Sequence, residues 1–237
     1  IGMSPFLMNV AASAVVALLN GQLVRFGNEL MAGGGDLAVG AYGVINTFGS
    51  LLVMVIIGIC QGMQPIAGYN YGAGHSHRLR EVFLLAMKVN VLVGTLGAIL
   101  GCCFPRFFGT WFTHDEAMLD IVKHAMPYMM VMWGFIGATI TNSNFFQSID
   151  KPWIAIVTSL SRQVIFLIPM IYLVPAVFLN HGGAGLDGVW VACTLSDFFG
   201  FALAMVLLLT QRKVFSPDYV APERRPRKEA GPKDGEQ

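Results

Sequence analysis

Residues 1–210 carry only 8 Lys or Arg and 9 Asp or Glu, and they divide into six long apolar runs. The runs cover residues 5–30, 37–66, 82–104, 119–146, 153–178 and 186–209. Each is long enough to cross a bilayer, whose hydrocarbon core takes about 20 residues of helix. A segment in lipid must satisfy its own backbone, so these runs predict helices. The breaks between them carry turn chemistry: Gly33-Gly34-Gly35-Asp36, Gly72-Ala73-Gly74-His75, Thr113-His114-Asp115-Glu116, Asp150-Lys151-Pro152 and Asn180-His181-Gly182-Gly183. The expected fold is an all-α membrane protein, a six-transmembrane-helix bundle over residues 1–215. The first run is too long for a signal peptide, lacks a basic start, and is followed by further spans.

Hydrophobic residues make up 55% of the chain and charged ones 12%, about half the charge of a soluble domain. A net charge of +1 gives no reason to expect a nucleic-acid partner. Cys60, Cys102, Cys103 and Cys193 lie inside apolar runs without metal-like spacing, so no metal site is expected and all four read as packing residues. Arg78, Arg80, Lys151, Arg212 and Lys213 fall in the even-numbered loops and the C-terminal flank. The bias of basic residues toward the cytoplasm puts those loops, and both ends of the segment, on the cytoplasmic side of a multi-pass protein of the plasma (inner) membrane. Residues 216–237 mix charges with four prolines and are expected to be a disordered cytoplasmic tail.

Polar residues deep in the runs are the exceptions that carry information, because each lone polar side chain in lipid costs free energy. Asn9, Ser13 and Asn20 give the first helix one polar face. The second has Asn46, Thr47, Gln61 and Gln64, the fourth ends Thr141-Asn142-Ser143-Asn144-Phe145-Phe146-Gln147, and the fifth holds Ser159, Arg162 and Gln163. Lys88 and Asn90 stand near the expected cytoplasmic end of the third helix, which is expected to be peripheral. Arg162 and Asp197 lie at depths of roughly 14 and 18 Å on antiparallel neighbours, which makes an ion pair feasible as a structural clamp or a gate. Gly58/Gly62, Gly68/Gly72 and Gly97/Gly101 have the spacing of helix-packing seams. Met129, Met130, Met132, Trp133, Phe145 and Phe146 are read either as the lining of a greasy cavity or as lipid-facing bulk.

Several motifs occur in a family's order along this chain. Gly2-Met3-Ser4-Pro5-Phe6 comes first, and Gln61-Gly62-Met63-Gln64-Pro65 follows with Gly68, Asn70 and Gly72. Next come Phe145-Phe146-Gln147-Ser148-Ile149-Asp150-Lys151-Pro152, Arg162-Gln163 with Pro169, and Gly185-Leu186-Asp187-Gly188-Val189-Trp190 with Ser196-Asp197. Over most of residues 1–215 these resemble the seventh to twelfth helices of multidrug and toxic compound extrusion (MATE) transporters. The resemblance implies the second, C-terminal six-helix half of a cation-coupled (Na⁺ or H⁺) antiporter that expels organic cations and drugs by alternating access. Its implied partners are the lipid bilayer, the N-terminal six-helix half, and amphipathic or cationic small molecules. A chain that opens on Ile1 at such a helix start is expected to be part of a longer protein.

Repeat-built transporters hold substrate near the midplane between bundles. The candidate substrate-cavity residues are Asn9, Asn20, Asn46, Gln61, Gln64, Asn142, Asn144 and Gln147, with helix–helix hydrogen bonding as the competing use of each amide. Where some family members place acidic cation ligands on the seventh and tenth helices, this chain aligns Asn9 and Ile136. The coupling ion is therefore expected to bind mainly in the missing half, with no cofactor. Two other readings stay open: a flippase of lipid-linked precursors with a related fold, and a non-transporting membrane-bundle fragment. An enzyme is not expected, since neither His-Glu-x-x-His nor Gly-x-Ser-x-Gly occurs.

Overall fold

The computed structural model describes residues 3–211, with side chains from Val10 onward except Ala11. The side chain of Asn9 and the expected tail of residues 216–237 lie outside the described residues. The described chain is helical throughout: α1 (Met3–Leu30), α2 (Gly34–Gly72), α3 (Ser76–Cys103), the short α4 (Pro105–Gly109), α5 (Glu116–Met130), α6 (Trp133–Ser148), α7 (Pro152–Leu160), a π-helical segment (Ser161–Leu167), α8 (Ile168–Asn180) and α9 (Gly185–Thr210). Among the described residues, four rods are long and apolar enough to cross a membrane by length and composition: α2, α3, the continuous α7–π–α8 rod and α9.

The reversals follow from local chemistry. Gly33 turns α1 into α2 at φ 78°, a left-handed conformation that a Cβ would strain. Beside it α1 and α2 nearly touch, since a Cβ at Gly27 would meet the backbone of Gly34 and Gly35 at 2.5–2.8 Å. Asp115 caps α5 by accepting from the Ala117 amide at 2.9 Å. Pro105 and Pro152 stand in the first turns of α4 and α7, where their missing N–H costs nothing.

Three features differ from the sequence-based expectation. The second helix does not stop near Ile66 but runs through Pro65 to Gly72, and Asn70 secures its last turns by donating to the Ile66 carbonyl at 2.8 Å. The expected fourth helix is two, broken at Val131 and Met132. There the Thr194 hydroxyl of α9 donates to the Tyr128 carbonyl at 2.6 Å and takes the acceptor that Met132 would use in a continuous helix. The third helix is not peripheral at Asn90, which sits mid-helix, fully buried, against α2 and α6.

One core gathers Leu19, Leu23, Ile45, Met126, Ile171 and Trp190 from five rods, and a second packs Met63, Leu79, Phe83, Phe145, Phe146 and Ile149 at the other end. Polar contacts pin the rods together. Asn90 Nδ2 donates to Thr141 Oγ1 at 2.7 Å and to Cys60 Sγ at 3.3 Å, joining α2, α3 and α6 in a dry interior. Of the expected glycine seams, a Cβ at Gly97 would overlap Leu52 and one at Gly101 would lie 2.9 Å from Met130, so both pack tightly.

Candidate functional site

Two features break the apolar outline of the bundle. The first is an open face on α2. Thr47, Ser50, Gln61, Pro65 and Tyr69 are exposed along it, together with Gly43, Gly58, Gly62 and Gly72. A Cβ at any of those four glycines would meet nothing within 4 Å. Gly58 and Gly62, expected at a packing seam, therefore line bare surface within this chain.

The second is a half-open cavity of about 320 Å³ lined by α1, α2, α5, α6, the π-helical segment and α9. Its floor is an ion pair. Arg162 Nη1 donates to Asp197 Oδ1 at 3.0 Å, with 27% and 15% of the two side chains exposed. An unpaired charge at that depth would be costly, and each partner supplies the counter-charge the other needs. Backbone geometry makes the pair possible. Gly200 lies one turn beyond Asp197 on α9, and Cβ to Cδ of Arg162 run flat over it at 2.8–3.2 Å from where a Cβ would be. The wider π turn of Ser161–Leu167 brings both Arg162 and Gln163 to the wall. Such turns concentrate at functional sites, and Pro169 just downstream withholds the amide that a regular helix would require of it.

The structure divides the predicted amides. Asn46 lines the cavity. Gln61 and Gln147 are exposed, Gln61 on the open face of α2. Gln64 and Asn144 bond each other, Nε2 to Oδ1 at 2.8 Å, which ties α2 to α6. Asn142 is buried and donates to the Ala204 carbonyl of α9 at 2.8 Å. The Asn20 Oδ1 is buried with no partner among the described residues. Of the candidate greasy lining, Met129 and Trp133 stand on the cavity wall. Phe145, Phe146 and Met130 are instead sealed in the cores, away from both cavity and lipid. Sequence reasoning missed Tyr42 and Gln163 as wall residues. Gln163 carried a usable signal, a second polar residue beside Arg162 deep in an apolar run. Tyr42 carried none, since an aromatic ring in such a run looks like ordinary packing. His124 bonds Asp187 at 2.9 Å and joins α5 to α9. Among the described residues no group of three His, Cys, Asp or Glu could hold a metal ion.

The MatE family pattern matches residues 26–173. The chain belongs to the MatE family. Among solved structures, the MATE multidrug transporter DinF-BH is 36% identical with a TM-score of 0.75, over 91% of this chain and 45% of that one. The multidrug export protein MepA of Staphylococcus aureus is 21% identical over 92% of this chain and 45% of its own length. The FAD transporter of Shewanella oneidensis is 24% identical over 64% of this chain and 32% of its own. These MatE relatives are transporters, not enzymes, and the all-α membrane bundle expected from the sequence is theirs. The chain spans less than half the length of each of the three.

Proposed function

We propose that this MatE chain is the C-terminal six-helix lobe of a secondary multidrug exporter, working by alternating access against an N-terminal lobe. The observation that carries the reading is the open face of α2. Gln61 stands on it beside Gly58 and Gly62, which no described residue covers, along a helix apolar enough to span a membrane, while the Thr47 and Ser50 hydroxyls bond the Gly43 and Asn46 carbonyls of their own helix at 2.8 Å. A free amide at that depth is expensive against acyl chains and cheap against water or another helix. A second bundle across a solute path supplies both. Gln61 is the wall residue favoured on the substrate side. Gln64, Asn142 and Asn144 serve as fixed helix–helix ties.

The proposed cargo is amphipathic or cationic drug-like molecules, exchanged for Na⁺ or H⁺. The coupling ion acts mainly outside this lobe. Ile136 stands on the cavity wall where an acidic cation ligand would help, and Asp197, the one carboxylate on that wall, already holds Arg162. The same pair disfavours a lipid-linked pyrophosphate cargo, which calls for several free cations. The proposed setting is the plasma (inner) membrane with both ends of the segment cytoplasmic, which the basic loop residues Arg78, Arg80 and Lys151 support.

The test is ethidium efflux from cells expressing the complete reading frame that contains this chain, with a Na⁺ or pH gradient imposed in turn. Efflux that needs one of the gradients, and falls several-fold in Gln61→Leu at equal expression, is the expected result. Absence of efflux for any cationic dye, or a wild-type rate in that variant, would overturn the reading.

A further inference from the structure

The 320 Å³ cavity holds hydrogen-bonding capacity that nothing in the fold uses. A guanidinium has five N–H donors, and Arg162 spends one, on Asp197. The side-chain polar groups of Tyr42, Asn46 and Gln163 on the same wall make no hydrogen bond among the described residues. The charge pair is also lopsided. Arg162 is the more open partner, 27% against 15%, and has more unused sites than the one free oxygen of Asp197. Both partners line the cavity, and the guanidinium brings the larger number of unused bonding sites to it. The rest of the lining includes the Trp133 indole, Val16, Leu19 and Met129, a broad apolar surface.

We propose that this cavity is a binding site for an amphipathic aromatic carboxylate. The carboxylate accepts from the free guanidinium N–H groups of Arg162, whose planar fork suits that geometry. The ring lies against Trp133 and the aliphatic wall. Asp197 stays on the far side of the guanidinium, so Arg162 bridges two carboxylates, and the net charge of the group admits one anionic head and rejects polyanions. An organic cation is disfavoured here, because it would face the exposed guanidinium while Asp197 is already engaged. The volume lies at the low end of the range for small-molecule sites, enough for one fused-ring ligand. This site lies within the lobe and does not depend on export, so it widens the ligand range beyond the cationic cargo proposed above.

The experiment uses the purified protein in lipid nanodiscs, with empty nanodiscs subtracted, and equilibrium dialysis of three isosteric probes: 2-naphthoate, 2-naphthamide and 2-naphthylmethylammonium. Expected is saturable binding of one 2-naphthoate per chain, at least tenfold tighter than either other probe. The pair Arg162→Gln/Asp197→Asn, which removes both charges and leaves neutral amides, should bring the three probes within about twofold of one another. Equal affinity of the three probes for the unaltered protein would overturn the proposal without recourse to any variant. So would a preference for naphthoate that survives in the double variant. Loss of ethidium efflux bears on the exporter reading alone, and the two outcomes are read separately.

Discussion

Gly200→Ala is the sharpest test of how the ion pair is built. The added Cβ would lie 2.8 Å from Cγ, 2.9 Å from Cβ and 3.2 Å from Cδ of Arg162. These are the stem atoms nearest the backbone, so a rotamer change at the tip gives no relief. Either the π-helical segment moves off α9 or Arg162 leaves Asp197. Overpacking of this kind costs about 1–3 kcal/mol. Loss of the charge-assisted bond adds about 1.5–3 kcal/mol. Better helix propensity of alanine returns about 1 kcal/mol. The net is about 1.5–5 kcal/mol of destabilisation. For a chain of this size that is a fall in melting temperature of roughly 3–20 °C. The measurement is thermal unfolding of purified protein in detergent, read by the fraction still monodisperse after heating. Gly58→Ala is the internal control, since its Cβ meets nothing within 4 Å. It should melt at or slightly above the unaltered protein. If Gly200→Ala melts as high as Gly58→Ala, the stem of Arg162 does not depend on that glycine and the packing account of the pair is wrong.

Three further outcomes are expected. Asp197→Asn alone strands a guanidinium at membrane depth and should cost about 3–5 kcal/mol, whereas the double variant Arg162→Gln/Asp197→Asn should recover most of it; a double-mutant cycle by thermal unfolding that finds additive effects would contradict the pairing. Asn90→Ala removes the donor shared by Thr141 and Cys60, and should destabilise by about 1–2 kcal/mol while leaving probe binding in the Arg162 cavity within twofold; unchanged thermal stability would count against the tie between α2, α3 and α6. Cys103 is exposed and Cys60 is buried, so a membrane-permeant maleimide followed by mass spectrometry should label Cys103 first and reach Cys60 only on unfolding.

What the sequence discloses here is what varies along the length of a rod. Apolar runs, their breaks and their depth in the bilayer are one-dimensional quantities. The arithmetic that set Arg162 and Asp197 at similar depths used only those quantities, and in the structure the two groups lie 3.0 Å apart. Azimuth around a rod is another matter. In soluble helices it is written in the contrast between an apolar and a polar face. A helix with lipid on one side and packed neighbours on the other is apolar all round, so the contrast disappears. Asn46 and Asn142 are the same amide, yet one stands on a cavity wall and the other is locked to the Ala204 carbonyl. Backbone irregularities are hidden for a related reason. The break after Met130 depends on the hydroxyl of Thr194 reaching the Tyr128 carbonyl 66 residues before it, and no glycine or proline within Ser161–Leu167 marks the π turn. Glycine is the partial exception. At Gly200 its missing side chain is filled by Arg162, and at Gly58 and Gly62 the space stays empty. The same residue at the same spacing thus marks a closed contact in one place and an uncovered face in another. Only the neighbour decides which, and on the exporter reading the neighbour of that α2 face is the other lobe.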